Sequence, residues 1–263
     1  MSVKIITLTS DFGLKDPYAA EMKAAILGIC PDAVIVDVTH GVEKFNIREG
    51  AFVLASATPY FPDGSIHVAV VDPFVGTQRR SIIVETKHGF FVGPDNGVLM
   101  LAAEAQGVVR AREITSRRLM LPHISGTFHG RDIFAPAAAH LAKGVSPEEF
   151  GPEITDLIVP QFTKVMRSRD AVSGEVLHVD DFGNIITNIP GTNLAGFRGA
   201  MVQVDLASQR LQMKFMGTYA DAKLNEPLVL VGSHGYAEIA LNQGDAAERF
   251  QAEAGDKVTL ARA

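Results

Sequence analysis

Short apolar runs that stop at an acid organise the first half of this chain. Ile5-Ile6-Thr7-Leu8-Thr9-Ser10 runs into Asp11-Phe12-Gly13, and Ile66-His67-Val68-Ala69-Val70-Val71 runs into Asp72-Pro73. The pattern predicts strands at residues 3–9, 33–38, 66–71 and 81–86, the last turning at Lys87-His88-Gly89 into a strand at 90–93. Helical spacing predicts helices at 18–29, 47–58, 96–104 and 131–143. Strands alternating with helices imply a mostly parallel sheet with helices on both faces. Open sheets of that kind bind ligands at the carboxyl edge. Asp11 and Asp72 at strand ends, and His129 just before a helix, therefore mark where chemistry is expected.

After Gly144 the pattern changes. Pro147, Pro152 and Pro160 punctuate residues 146–161, and from Ala171 onward strand signals dominate, at 174–179, 184–188, 200–204, 228–231 and 258–261. Gly and Asn turns separate them, which predicts a smaller β-rich domain, a barrel or sandwich. The expected division is an α/β domain over residues 1–165 and a β domain over 170–263.

Composition narrows the function. The 263 residues carry a net charge of -6 with no basic run, which excludes a nucleic-acid partner. Cys30 is the one cysteine, so neither an intrachain disulfide nor a cysteine-based zinc site can form, and its apolar neighbours Ile26, Leu27 and Ile29 predict a buried thiol. A strand expected within three residues of the start leaves no room for a signal peptide, and no apolar run approaches the roughly 20 residues of a membrane helix. The expected location is cytoplasmic, with no membrane partner.

Several motifs lead nowhere. Asp-Phe-Gly at residues 11–13 and 181–183, and His129-Gly130-Arg131-Asp132, imitate kinase signatures without the accompanying glycine-rich loop or lysine. Dinucleotide, phosphate-loop, nucleophile-elbow and zinc-protease motifs are absent from the sequence. Arg79 stands seven residues after Asp72 and can fold back on it; alone, the pair reads as a turn acid beside an exposed Arg79-Arg80 pair. Asn184 and Asn188 flank a β-branched run that is either a hairpin or a surface reading the edge of a base. The block from Gly232 to Ala240 reads as a turn into a strand. Together, an arginine, a helix N-terminus and a histidine can hold a hydroxide-like water, as a hydrolase requires.

Taken as one ordered set, five blocks resemble the S-adenosyl-L-methionine hydroxide adenosyltransferases, relatives of the fluorinases and chlorinases. They are Thr9–Gly13, Val71-Asp72-Pro73 with Gly76-Thr77 and Arg79, Thr127–Asp132, Phe182-Gly183-Asn184 with Thr187-Asn188, and Gly232-Ser233 through Asn242-Gln243. The resemblance implies a Rossmann-like N-terminal domain and hydrolysis of S-adenosyl-L-methionine to adenosine and L-methionine, with no cofactor and no metal. It implies a catalytic trio of Asp72, Arg79 and His129. It also implies substrate contacts from Asp11, Asp16, Asp72, Phe128, Asp180, Phe182, Asn184, Ser233, Tyr236 and Glu238, in a homotrimer whose active sites lie between subunits. Halogenating relatives carry Tyr at position 72 and Ser at position 130, where this chain has Asp72 and Gly130. Position 74, usually glycine in the family, is Phe74, and position 234, arginine in the halogenases, is His234.

Two other readings fit the same residues. Asp11, Asp72 and His129 offer the oxygen and nitrogen ligands of a metal-dependent hydrolase of a nucleoside derivative. A non-catalytic S-adenosyl-L-methionine or adenosine sensor would use the same pocket without turnover. Between His129 and Asp72, the sequence leaves open which accepts the water proton.

Overall fold

The computed structural model describes residues 4–262, and the predicted strand start at residue 3 lies outside them. The chain separates into two compact units, Met1–Pro160 and Gln161–Ala263. The first contains β1 (Ile5–Ser10), α1 (Tyr18–Ile29), β2 (Val34–Thr39), α2 (Ile47–Ala57), β3 (Ser65–Val70), β4 (Ser81–Thr86), β5 (Gly89–Pro94), α3 (Met100–Ala105), β6 (Val108–Glu113), α4 (Ala135–Ala142) and β7 (Glu153–Ile154). Among the described residues its strands form one seven-stranded sheet in the order β2-β1-β3-β5-β4-β6-β7. The β2, β1, β3 and β5 strands run parallel. From the Lys87-His88 hairpin outward, β4, β6 and β7 continue the sheet antiparallel, because a tight turn cannot carry a parallel crossover.

Strand β3 is buried along its whole length, as a strand covered on both faces must be. Ile6, Leu8, Val68 and Val70 pack one face against Met22 and Ile26 of α1 and Leu141 of α4. On the other face Thr7 and His67 hydrogen-bond at 2.9 Å, beside Ala55 of α2 and Ala102 of α3. Burial between the rings of Phe61 and Phe91 pushes the His67 pKa down to about 4, so this imidazole is neutral core. Cys30 is likewise a fully buried thiol, its pKa raised by burial.

Register places the functional edge. Ser10 pairs with Val70, so Asp11 and Asp72 leave neighbouring parallel strands at the same carboxyl end. On the other side of β1 the register slips: Leu8 faces Asp37 but Thr9 faces Thr39, with Val38 as the extra residue. Such bulges re-aim side chains, and this one delivers His40 beside Ser10.

One predicted helix begins later than its sequence pattern, and another starts where expected but in a wider winding. The stretch 96–104 is helical only over α3, because the Asn96 side chain turns back to donate to the Val71 carbonyl (2.8 Å) and accept from Val98 N–H (3.1 Å). The stretch 131–143 is α-helical only over α4; a π-helical turn, Gly130–Phe134, precedes it. Wide turns of that kind recur at functional sites.

The second unit contains β8 (Met166–Arg167), β9 (Ala171–Val179), β10 (Ile185–Pro190), β11 (Met201–Leu206), β12 (Gln209–Phe215), β13 (Pro227–Val231), β14 (Tyr236–Leu241), α5 (Ala246–Phe250) and β15 (Lys257–Arg262). Strands β10-β14-β13-β12-β11-β15-β9 close into a seven-stranded barrel through a β9–β10 pairing, and β8 extends β9. Val176, Ile185, Val204, Val229, Ile239 and Leu260 fill its interior. Closure removes the exposed sheet edges that a sandwich would leave. Among the described residues no helix is long and apolar enough to cross a membrane.

Candidate active site

Asp72 follows buried Val71, whose carbonyl is held by Asn96. The chain then turns through Pro73 to Gly76, where φ is +80° and a Cβ would lie 2.3 Å from the Gly126 carbonyl oxygen. Only glycine lets this turn lie against the loop that precedes His129. The turn returns Arg79 to Asp72: Nε donates to Oδ1 at 3.0 Å and Oδ2 at 2.9 Å, and Nη2 to Oδ2 at 2.5 Å. Nη1 donates to Ser81 Oγ at 2.9 Å, and the guanidinium lies 5.2 Å from the Phe134 ring centre. The Arg79 and Asp72 side chains are 6% and 5% exposed. The adjacent Arg80 binds buried Asp95 through Nε (2.9 Å) and Nη2 (2.6 Å). The arginine pair that the sequence alone reads as exposed is therefore committed on both members.

Arg79 Nη2 also meets His129 Nδ1 at 2.8 Å. A guanidinium can only donate, so Nδ1 accepts, the ring is neutral, and its proton sits on Nε2. Burial and the Arg79 charge hold the His129 pKa below the usual imidazole value, outweighing Asp72, Asp132 and the Ser125 carbonyl. Fully buried Asp132 accepts the Ser125 N–H at 2.7 Å and fixes the loop entering His129.

Asp11, Asp16, Asp72, Phe128 and His129 line a single cavity of about 410 Å³. Asp11 Oδ2 accepts the Phe45 N–H at 2.9 Å. Phe45 sits at φ +68°, a conformation costly for a non-glycine residue and typical of functional loops. Tyr18, Lys44 and Phe45 share the lining, and no sequence pattern pointed to them. Phe12, Tyr18 and Phe128 pack edge to face with centroids 5.7, 5.5 and 5.2 Å apart. A Cβ on Gly130 would come within 3.2 Å of Met22 Sδ and Phe128 Cε2, so the space beside this aromatic wall is already tight. Phe74 is half exposed and absent from the positive-φ residues; the left-handed position in this turn belongs to Gly76.

In the second unit, Asp180, Phe182 and Asn184 meet at another cavity, of about 640 Å³, with Tyr219 and Asn242. Asp180 Oδ1 accepts the Phe182 and Asn184 N–H groups, both at 2.9 Å, and Oδ2 accepts from Asn184 Nδ2 at 2.9 Å, fixing which way that amide points. The Phe182 ring is 79% exposed, an open face for stacking. Ser233, Tyr236 and Glu238 lie off this wall. Buried Glu238 accepts from Tyr219 Oη at 2.5 Å and from His234 Nε2 at 3.1 Å, while the Tyr236 ring stacks on His234 at 5.9 Å. Asn188 is structural: its oxygen accepts from Glu175 N–H at 2.8 Å, and its nitrogen donates to the Phe162 (3.0 Å) and Lys164 (2.9 Å) carbonyls. The base-reading alternative for Asn188 falls on that accounting.

Among the described residues no three His, Cys, Asp or Glu side chains converge as a metal site. The guanidinium of Arg79 already stands where a cation between Asp72 and His129 would have to go.

Fold and site together define a two-unit protein in which a buried carboxylate–guanidinium–imidazole cluster opens on a cavity at the carboxyl edge of an α/β sheet. Residues 6–151 match the SAM hydroxide adenosyltransferase N-terminal domain and residues 174–259 the C-terminal domain. The chain belongs to the SAM hydroxide adenosyltransferase family. It is 40% identical over 258 residues to an "(R)-S-adenosyl-L-methionine hydrolase" of Salinispora tropica, covering 97% of each chain. It is 36% identical over 266 residues to one of Methanocaldococcus jannaschii, covering 97% of this chain and 95% of the other. A crystal structure of an uncharacterized conserved protein from Thermotoga maritima superposes with a TM-score of 0.88 at 41% identity, covering 98% of this chain and 100% of that one.

Proposed function

We propose that this protein hydrolyses S-adenosyl-L-methionine to adenosine and L-methionine, with water attacking C5′. The family membership and the full-length relatives named for this activity support the reaction. The observation that carries it to particular residues is Arg79 donating at once to Asp72 and to His129 Nδ1. In the reaction the water oxygen bonds to C5′ as the C5′–S bond breaks, its electron pair passes to sulfur, and one water proton leaves. The sulfonium becomes a neutral thioether, so charge cancels in the transition state, which a dry site favours. Arg79 blocks Nδ1 of His129 as a proton acceptor, and Nε2 already carries its proton. Asp72 keeps lone pairs beyond those engaged by Arg79 and is therefore the group that takes the proton, while His129 Nε2–H orients the water.

Asp11 and Asp16 are assigned to the ribose side, with Phe128 as an apolar wall. Asp180, Phe182 and Asn184 are assigned to the adenine, and Ser233, Tyr236 and Glu238 to the amino-acid end. No metal or cofactor takes part in this scheme. Turnover should survive EDTA, with adenosine and methionine as the chromatographed products. Activity abolished by EDTA and restored by a divalent metal would establish the metallohydrolase instead, and binding without product would establish a sensor.

The assembly we propose is a homotrimer with each active site completed by a neighbouring subunit. Its support is that Asp11, Asp72 and His129 line a cavity of the first unit, whereas Asp180, Phe182 and Asn184 line a cavity of the second. Sedimentation velocity should give a trimer, and full activity in a monomer would refute the shared site. A single buried thiol suits a reducing compartment, and we place the enzyme in the cytoplasm.

A further inference from the structure

Ser10, His40 and Asp37 form a hydrogen-bonded chain behind Asp11. Ser10 Oγ meets His40 Nδ1 at 2.7 Å, and His40 Nε2 meets Asp37 Oδ1 at 3.1 Å. The remaining Asp37 oxygen accepts from Lys23 Nζ of α1 at 2.5 Å. The order imitates a serine-hydrolase triad, but Ser10 is 1% exposed and its hydroxyl cannot meet a substrate. Its neighbours show another use. Ser10 Oγ accepts the Phe12 N–H at 3.4 Å, Gly13 N–H donates to the His40 carbonyl at 2.6 Å, and Val42 N–H donates to the Ser10 carbonyl at 3.3 Å. Asp11 lies inside this lacing and is tied to the same 40–46 loop through Phe45 N–H. The carboxylate of Asp37 makes His40 Nε2 the donor, so in the neutral ring Nδ1 accepts from Ser10 and leaves the serine oxygen free for Phe12 N–H.

We propose that His40 is a positioning residue for substrate binding: through Ser10 it fixes the turn that presents Asp11 to the cavity. The β2 bulge has a purpose on this reading, since without the extra Val38 the side chain after Thr39 would be out of step with Ser10. His40 is 3% exposed and touches no substrate itself, so its effect must pass through Asp11.

The inference rests on the proposed role of Asp11, and the test separates the two. His40→Ala should raise KM for S-adenosyl-L-methionine about tenfold or more, the scale for a lost hydrogen bond in a charged network, with kcat changed less than about threefold. His40→Asn, which keeps a polar atom near the Nδ1 position, should recover most of that loss. Combined with Asp11→Asn, His40→Ala should add nothing, because the group it positions is gone. A merely structural histidine would instead multiply the two defects or lower kcat at unchanged KM, and either result overturns the proposal. If His40→Ala does not fold, Asp37→Asn serves alone and in the same double variant. Its side chain is 35% exposed, and it should raise KM in the same non-additive way. Wild-type enzyme that neither turns over S-adenosyl-L-methionine nor binds adenosine by calorimetry would sink the functional reading itself. An active wild type whose KM is indifferent to His40 would sink only the role given to His40.

Discussion

Arg79→Met should lower kcat/KM for S-adenosyl-L-methionine by about two to four orders of magnitude, the range for dismantling an acid–base centre. The same change should destabilise the first unit by about 3–5 kcal/mol, because it leaves the Asp72 carboxylate, 5% exposed, as an uncompensated buried charge. Three sets of contacts are lost together: the fork on Asp72, the donor to Ser81, and the donor that fixes the His129 tautomer. Arg79→Lys separates charge from geometry. An ammonium can neutralise Asp72 but cannot reproduce the planar fork that reaches His129 in the same stroke. Stability should then return further than activity. Denaturant melts and initial rates on both variants decide the matter, and an Arg79→Met enzyme within tenfold of wild type would mean that the cluster is not catalytic.

Asp72→Asn should cost two or more orders of magnitude in hydrolysis. An amide keeps the shape but loses the proton acceptor, and it forces an N–H toward a guanidinium that has only donors to offer. The same carboxylate excludes halide in the wild type, since two anions in a poorly solvated pocket repel strongly. Wild-type enzyme in excess chloride should give adenosine alone. Detecting 5′-chloro-5′-deoxyadenosine as a main product would show a pocket built for halide. An Asp72→Asn variant that hydrolyses at the wild-type rate would transfer the proton acceptor to another group.

The parts of the fold that were legible in the sequence are those in which a local signal and the tertiary demand agree. Buried parallel strands read as largely apolar, β-branched runs, so β1 and β3 and the acids at their ends stood out, and α1 coincides with its predicted span. Strands β6 and β12 escaped because polar side chains of the opposite face interrupt their apolar runs: Arg110 and Arg112 flank Ala111, and Arg210, Gln212 and Lys214 alternate with Leu211, Met213 and Phe215. Closure of the barrel depends on β9 pairing with β10, which no local pattern announces.

The site divides along the same line. Asp11 and Asp72 were visible as strand-terminal acids, but the contact of Arg79 with His129 spans 50 positions and exists only in the fold. Asn96 was hidden inside Pro94-Asp95-Asn96-Gly97, a turn signature read as the start of a helix, although its side chain holds the carbonyl next to Asp72. His40 had no motif at all; a one-residue bulge in β2 brings it to Ser10. For Glu238, the chain position said nothing of an inward carboxylate taken up by Tyr219 and His234.

The central claim is that water, held by Asp72, Arg79 and His129, attacks C5′ of S-adenosyl-L-methionine. Single-turnover reaction in ¹⁸O-enriched water, read by mass spectrometry of both products, tests it directly. The label should appear on the adenosine 5′-hydroxyl, with unlabelled methionine. Label in the amino-acid product, or adenosine carrying none, would contradict the account.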